Sequence, residues 1–285
     1  MKLLITLWLS GAALAQDPDV VFKTSVRLVE VYATVLDQRG KYLNGLTKDR
    51  FEVRDNGAPQ PIAIFEAETA GLSCAILMDT TGSMAHALPA VKNAILKLID
   101  ELRDEDAIAV YGFSGSLRTL EAFTKDKAAA KRAVLSTRAA GGTALFDSLA
   151  QLARSLARRS GKKAIVTFTD GQDNQSVLNA GAAIARVKKA GIPVYAVAQG
   201  AALKSQVLLQ ELQEIARLTG GQSYKVLKSS EISAVFQDIS NDLKHTYLLA
   251  YKPPPAGEET WRTIQLAVKG LKDYKVRAKE GYVPE

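Results

Sequence analysis

Apolar runs alternate with helix-like segments over the central part of the chain. Nearly continuous apolar runs predict parallel strands covered on both faces, at residues 72–78, 107–113, 164–169 and 193–198. Apolar residues spaced three and four apart predict helices over 88–102, 145–156 and 232–243. A further helix is expected to begin at an N-cap, Ser176, and to stop at Gly191. This alternation predicts a doubly wound α/β domain with a mostly parallel sheet over residues 70–243.

The two flanking segments show the shorter period of β-strands instead. Residues 20–68 contain a β-branched run, a tight-turn signal at residues 55–57, and a returning strand that Pro59 and Pro61 place at a sheet edge. Residues 245–285 contain three further strand patterns, and Trp261 is expected in their core. Neither set is large enough for a core of its own. We therefore expect the two sets to form one small β-sandwich, with the α/β domain inserted between them.

The first fifteen residues resemble a secretory signal peptide. Lys2 provides a positive start, an apolar run follows, and Ala13-Leu14-Ala15 matches the small-x-small cleavage pattern. We expect cleavage after Ala15 and a secreted or periplasmic protein, with an uncleaved anchor as the alternative. The run is short for a membrane span, and no later apolar stretch is long enough to cross a membrane.

The charge and the cysteine content narrow the classes of function. The formal net charge is +7, but lysines and arginines are dispersed among acidic residues, and no nucleic-acid-binding motif accompanies them. We therefore expect no nucleic-acid partner. Cys74 is the single cysteine, so an internal disulfide is excluded, and its apolar surroundings predict a buried, inert thiol.

Oxygen-bearing side chains gather where the predicted strands end. Asp79, Thr81 and Ser83 follow the first strand, Asp170 follows the third, and Thr143 lies in a Gly-Gly-Thr loop before a helix. Ligands of doubly wound sheets bind outside the carboxyl ends of the strands, so these side chains are expected at one edge. Carboxylate and hydroxyl oxygens are hard ligands that suit Mg²⁺, and also Mn²⁺ or Ca²⁺. The sequence therefore predicts a site for a divalent cation, Mg²⁺ above all.

The order and spacing of these residues resemble the metal-ion-dependent adhesion site (MIDAS) of von Willebrand factor A domains. Asp79-x-Thr81-x-Ser83, then Thr143, then Asp170-Gly171 follow that pattern, with Thr81 where the family usually has serine. The flanks are similar to those of secreted, acidobacterial-type proteins related to this family, over residues 29–37, 43–47, 51–57 and 277–283.

The resemblance implies a binding module. In the family, Thr81, Ser83 and Asp170 would bind the metal closely, and Asp79 and Thr143 would bind it directly or through water. A protein partner would complete the metal shell with an acidic residue. The glycines at 141 and 142 suggest that the Thr143 loop rearranges when a ligand binds. No catalytic residue, and hence no enzyme activity, is expected.

Alternative functions remain open at this stage. Asp79 could be the nucleophile of a metal-dependent phosphohydrolase, although the second acid or lysine expected beside it is absent at Thr80 and Thr81. A structural envelope protein with no active ligand is a further alternative. An aspartic protease lacks a paired carboxylate, and a Ser-His-Asp hydrolase lacks its elbow motif, with only His86 and His245 available.

Each oxygen also has a simpler structural explanation. Thr143 and Asp79 could each cap a helix, and Asp170-Gly171 could form only a turn. Asp173 and Asn174 are interpreted as loop residues rather than ligands.

Overall fold

A computed structural model describes residues 28–255 and 261–284. The predicted signal peptide, residues 1–15, and its cleavage site lie outside the described residues. Among the helices of the described part, none is long and apolar enough to cross a membrane.

Strands and helices alternate through the middle of the chain. The strands are β1 (Val29–Asp37), β2 (Phe51–Asp55), β3 (Ala58–Gln60), β4 (Ile62–Glu66), β5 (Leu72–Asp79), β6 (Ala107–Phe113), β7 (Leu117–Thr124), β8 (Lys162–Thr169), β9 (Val194–Gln199), β10 (Ser223–Val226), β11 (Tyr247–Tyr251), β12 (Arg262–Val268), β13 (Tyr274–Arg277) and β14 (Gly281–Tyr282). The helices are α1 (Leu88–Glu101), α2 (Lys127–Ser136), α3 (Leu145–Leu156), α4 (Ala180–Ala190), α5 (Gln206–Thr219) and α6 (Ile232–Lys244).

The central sheet has six strands in the order β10-β9-β8-β5-β6-β7. All neighbours pair in parallel except β6 and β7, which pair antiparallel. The predicted doubly wound α/β fold and its four central strands are confirmed. Strands β7 and β10 were not predicted, because both are edge strands without fully buried apolar runs. Helices α2 and α5 were not predicted either.

Helices cover both faces of this sheet, and each face has its own apolar core. Helices α1, α2 and α6 bury their apolar sides against one face, and α3, α4 and α5 bury theirs against the other. The predicted stop of α4 is confirmed, since Gly191 has a left-handed backbone with φ of 66°. The predicted N-cap is wrong: Asn179, not Ser176, accepts a hydrogen bond from the first turn of α4.

The flanking strands form two four-stranded antiparallel sheets, β13-β1-β11-β4 and β14-β12-β2-β3. Strands from before the central sheet pair with strands from after it, as β1 does with β11 and β2 with β12. The two sheets share one apolar cluster that includes Val31, Phe51, Tyr247 and Ile264. These additional antiparallel sheets agree with the predicted sandwich, and β3 and β4 are edge strands as Pro59 and Pro61 indicated.

Trp261 is not in the core of these sheets, contrary to the expectation. Its ring is half-buried and lies under the ammonium of Lys188 on α4, 3.5 Å from Nζ to the ring centroid. Trp261 therefore contributes a cation–π contact to the central α/β unit.

Buried cations join the small sheets to the central sheet. Lys162 at the start of β8 is buried, and its Nζ donates to the carbonyls of Glu68 at 2.8 Å and of Ala67 and Thr246 at 3.3 Å. These carbonyls lie on the two chain segments that connect the sheets. Lys163 is also buried and forms an ion pair of 2.8 Å with Glu30 of β1.

Candidate metal centre

The sheet topology brings the two predicted carboxylates to one edge. Strands β5 and β8 are parallel neighbours, with Met78 beside Phe168 in the register. Asp79 ends β5, and Asp170 follows the last residue of β8. Because parallel strands end at the same edge, the chain holds both carboxylates side by side at the carboxyl edge of the sheet.

The loop after β5 turns back on itself and directs its hydroxyls inward. The Thr81 backbone N–H donates to Asp79 Oδ1 at 2.9 Å, and a short 3₁₀ turn follows over Gly82–Ala85. Thr81 Oγ1 and Ser83 Oγ lie 3.0 Å apart. Gly82 N–H donates to the Gly141 carbonyl at 3.0 Å, which ties this loop to the loop that carries Thr143.

Ser83 and Thr143 meet Asp170 beside a glycine. Ser83 Oγ donates to Asp170 Oδ1 at 2.8 Å. A Cβ atom placed on Gly171 would lie 3.6 Å from Ser83 Oγ and 3.8 Å from Thr143 Oγ1. These two hydroxyls therefore flank one small space, and the structure brings all five predicted side chains together at that edge.

The site carboxyls are shielded from water and have no cation beside them. Asp79 is fully buried and Asp170 is 7% exposed. Burial raises the pKa of both carboxyls; at Asp79 the nearby Asp170 carboxylate raises the pKa further, and hydrogen bonds from Thr81 and Thr169 oppose the shift. Among the residues that the structure describes, no lysine or arginine forms an ion pair with either carboxylate.

This donor set fits a divalent cation bound by oxygens. Two carboxylates and three hydroxyls are hard ligands, and a cation would offset the electrostatic cost of the buried charges. Within residues 28–255 and 261–284, no cluster of three or more His, Cys, Asp or Glu side chains could hold a metal. A metal at this edge would therefore depend on the hydroxyls of Thr81, Ser83 and Thr143 as well as on the two carboxylates.

The loop that carries Thr143 is held by residues that the sequence analysis assigned no role at the site. Asn174 Oδ1 accepts the Thr143 N–H at 2.9 Å, and the Asn174 and Gln175 N–H groups donate to the Thr143 carbonyl at 3.0 and 2.9 Å. The Gln175 side chain packs where glycines leave room, with Oε1 2.7 Å from where a Cβ of Gly115 would be. Asn174 and Gln175 are thus positioning residues for Thr143.

Helix capping does not explain Thr143. The N-cap of α3 is Ala144, and the first-turn N–H of Phe146 donates to the carboxylate of Asp173 at 2.8 Å. Asp173 therefore does the capping from a neighbouring loop, and the Thr143 hydroxyl is not needed for it.

Thr169 is a further residue that the sequence analysis missed. Its hydroxyl, fully buried at the end of β8, donates to Asp79 Oδ2 at 2.8 Å. Together with the Thr81 N–H on Oδ1, this bond sets the orientation of the Asp79 carboxylate. Its position directly before Asp170 is the signal that sequence reasoning could have used.

The two histidines do not act together. His86 is exposed just after the 3₁₀ turn, whereas His245 stacks on Tyr42, with ring centroids 4.3 Å apart, where α6 leads into β11. Within the described chain, the Asp79 carboxylate accepts hydrogen bonds from Thr81 and Thr169, and neither residue is the lysine or acid that a phosphohydrolase carries close after its nucleophile.

Comparison with known proteins identifies the family. The profile of the von Willebrand factor type A domain matches residues 74–240. The chain belongs to this family, whose members are generally interaction modules and commonly bind divalent cations at a MIDAS. No curated protein sequence matches the chain.

Solved structures show the same fold. A von Willebrand factor type A protein from Catenulispora acidiphila superposes with a TM-score of 0.54 at 17% identity, covering 92% of this chain and 75% of that one. BatB from Bacteroides thetaiotaomicron gives 0.50 at 24% identity, covering 61% and 100%. Proximal thread matrix protein 1 of the mussel byssus, with a zinc-occupied MIDAS motif, gives 0.55 at 20% identity, covering 67% and 50%.

Proposed function

We propose that this protein is a secreted or periplasmic binding module that holds a protein partner through a divalent cation. The observation that carries the proposal is the convergence of two buried, cation-free carboxylates with three hydroxyls at the ligand edge of the sheet. Membership of the von Willebrand factor type A family supports it. The predicted signal peptide at residues 1–15 is the basis for the location.

We assign the metal to Asp79, Thr81, Ser83, Thr143 and Asp170. Mg²⁺ is the first choice because every donor is a hard oxygen, and Mn²⁺ or Ca²⁺ suits the same donors. A bound cation would supply positive charge and free coordination positions, which a carboxylate of the partner fills. Asp79, Asp170 and the three hydroxyls would hold and orient the ion, and Thr169, Asn174 and Gln175 hold Asp79 and the Thr143 loop in place.

The proposed organisation gives each region one task. Residues 70–243 form the binding domain, and residues 20–68 and 245–285 form its β-sandwich platform. No catalytic residue is assigned. The metal edge lies at the carboxyl ends of the central strands, and the segments that join the binding domain to the platform lie at the opposite edge, beside Lys162 at the start of β8.

Calorimetry tests the metal site. Wild-type protein and the Asp79→Ala variant are titrated with Mg²⁺, Mn²⁺ and Ca²⁺, and Asp104→Ala serves as the control because its side chain is 99% exposed. We expect Asp79→Ala to lose metal binding and Asp104→Ala to keep it. Equal affinity in wild type and Asp79→Ala would refute the assignment.

Two further measurements separate the alternative functions. Phosphate release from p-nitrophenyl phosphate that depends on both metal and Asp79 would favour the phosphohydrolase. Pull-down from an envelope extract, with Mn²⁺ or with EDTA, tests for a partner whose retention depends on the metal. Metal binding without any such partner would favour a structural envelope protein.

A further inference from the structure

The exposed charges around the metal edge all have the same sign. The loops and element ends at the carboxyl edge are residues 80–87, 114–118, 137–144, 170–179, 199–207 and 227–231. Among them, the exposed residues charged at neutral pH are four cations, which we call the rim cations: Arg118, Arg138, Lys204 and Lys228.

The carboxylates of these loops are buried or half-buried and already have partners. Asp170 accepts from Ser83, Asp173 accepts from Phe146 and Ser176, and Glu231 accepts from the N–H groups of residues 227 and 228. The exposed charges that a partner would meet at this edge are therefore cations, and a bound metal would add its own positive charge.

Exposed aliphatic side chains concentrate at the same edge. Val177 is 94% exposed, Val207 64% and Leu227 75%, and we call these three residues the rim aliphatics. They follow β8, β9 and β10, which are neighbours in the sheet. A single exposed aliphatic needs no explanation, but three in the segments that follow adjacent strands are the kind of exposed apolar surface that marks an interaction site.

The backbone holds two of these aliphatics in place. The Val177 N–H donates to Asp147 Oδ2 at 2.8 Å, and the Leu227 N–H donates to Glu231 Oε2 at 3.0 Å. The patch is thus presented by anchored turns, which lowers the entropy lost when a partner binds.

The rim cations lie on both sides of the edge. In the strand order, Lys204 and Lys228 follow β9 and β10, on the same side as the rim aliphatics, while Arg118 lies beyond β5, on β7. Its guanidinium is 3.5 Å from Thr80 Oγ1 in the metal loop. From β10 to β7 the edge spans about 24 Å at the usual strand spacing, a length that about seven extended residues cover.

We propose that the partner contributes an extended, acidic and aliphatic segment of about seven residues. One carboxylate completes the metal shell, further carboxylates face the rim cations, and aliphatic side chains cover the rim aliphatics. This inference rests on the proposed function of the metal site. Charge complementarity selects an acidic segment, and the apolar patch on one side selects a protein rather than an anionic lipid surface.

Selection from a library of random heptapeptides displayed on phage, in the presence of Mn²⁺, tests the proposal without assuming a sequence. We expect the enriched peptides to combine Asp or Glu with Leu, Ile or Val. Enrichment of basic or uncharged peptides would overturn the proposal. So would binding to vesicles of anionic phospholipid as tight as binding to the selected peptides.

Variants then assign the contacts, using a synthetic peptide of a selected sequence and fluorescence polarisation. We expect the double variant Arg118→Gln/Arg138→Gln to weaken binding roughly tenfold and to reduce its salt dependence. Val177→Ser/Val207→Ser should weaken binding by a similar factor without changing the salt dependence. The controls are Arg158→Gln, at the opposite edge, and Ile64→Ser, which is 44% exposed on β4.

The outcomes distinguish failure of this proposal from failure of the proposed function on which it rests. If Mn²⁺ binding depends on Asp79 but the rim variants bind the peptide like wild type, the rim has no role and only the present inference fails. If Mn²⁺ binding does not depend on Asp79, the proposed function itself fails.

Discussion

Two regions of this protein bury carboxylates, and they treat the charge in opposite ways. In the small sheets, Asp55 is fully buried and accepts from Arg262 Nε at 2.6 Å, Tyr282 at 2.7 Å and Tyr251 at 2.9 Å. Asp242 on α6 is likewise paired with Arg277 and Tyr195. At the metal edge, Asp79 is buried to the same extent, but among the described residues it accepts only from a threonine hydroxyl and a backbone N–H.

The two kinds of buried carboxylate differ in their partners. Asp55 and Asp242 each accept from an arginine of the chain, and burial with hydrogen bonding to Asp55 raises the pKa of Tyr282 to about 12. At the metal edge burial raises the pKa of Asp79, and no cation among the described residues offsets the lost hydration. A charge of that kind is a disadvantage for folding alone, so we expect it to be retained for a ligand.

The largest effect is expected when a structural carboxylate is removed. Asp55→Ala leaves Arg262 and two tyrosine hydroxyls without their acceptor, which should lower the free energy of unfolding by about 3–5 kcal/mol. Urea denaturation measures this change, and Asp104→Ala is the exposed control. A loss below about 1 kcal/mol would mean that the network is not a structural element.

The second-largest effect is expected at Asp79. In metal-free protein, its substitution should raise the free energy of unfolding, whereas Asp55→Ala lowers it. Asp79→Asn removes a buried charge that has no cationic partner among the described residues, so metal-free protein should gain unfolding free energy at neutral pH. With Mg²⁺ or Mn²⁺ at 100 times its Kd, wild type should gain about 2.7 kcal/mol and the variant nothing. Thermal unfolding with and without metal measures both changes. Destabilisation of metal-free Asp79→Asn would place Asp79 with the structural carboxylates.

A smaller effect is expected at the positioning residue Asn174. Asn174→Ala removes the acceptor of the Thr143 N–H, which should lower metal affinity about tenfold by loosening one ligand loop. Asn179→Ala is the matched control, because its side chain caps α4 instead. Calorimetry should show unchanged metal affinity in the control and about 1 kcal/mol less stability in it. Equal metal affinities in both variants would remove Asn174 from the site.

The smallest effect is expected in the pH dependence of stability and concerns Lys162, a buried amine whose hydrogen-bond acceptors are backbone carbonyls. Burial lowers the pKa of Lys162 to about 8, below its value of 10.5 in the unfolded chain. Between these values the unfolded chain binds a proton that the folded chain has released, so this group makes stability rise with pH. From pH 8 to 9.5 we expect wild type to gain up to about 1 kcal/mol per pH unit over Lys162→Met. Parallel pH curves for the two proteins would contradict this.

The candidate site was largely predictable because its ligands follow local patterns. Asp79, Thr81 and Ser83 lie two residues apart, and Thr143 and Asp170 each stand next to glycine. Strand-end position then brings them to one edge, since parallel strands share their carboxyl ends. The residues that hold these ligands were not predictable in this way. Thr169 and Asn174 act on side chains or loops that are distant in sequence, and both have common structural roles elsewhere.

The same distinction between local patterns and long-range contacts applies to the fold. Apolar periodicity revealed β5, β6, β8 and β9 because a strand buried on both faces must be apolar throughout. It missed β7, whose residues are exposed or half-buried, because an edge strand is held mainly by its pairing with β6. It also placed Trp261 in the wrong environment, since an aromatic side chain suits both a core and a cation–π contact with Lys188.

The sequence by itself determined the α/β alternation, the two strand-rich flanks and the five oxygen-bearing side chains of the candidate site, because periodicity and spacing are local properties of the chain. Only the tertiary structure decided which buried carboxylates have a cationic side chain beside them. Asp55 and Asp79 each end a strand and are equally buried, and the sequence does not tell them apart. Arg262, which lies 207 residues from Asp55, neutralises that carboxylate, and no arginine or lysine of the described chain does so for Asp79. Long-range pairing sets the electrostatic environment of each carboxylate, and that environment supports the metal site that we propose.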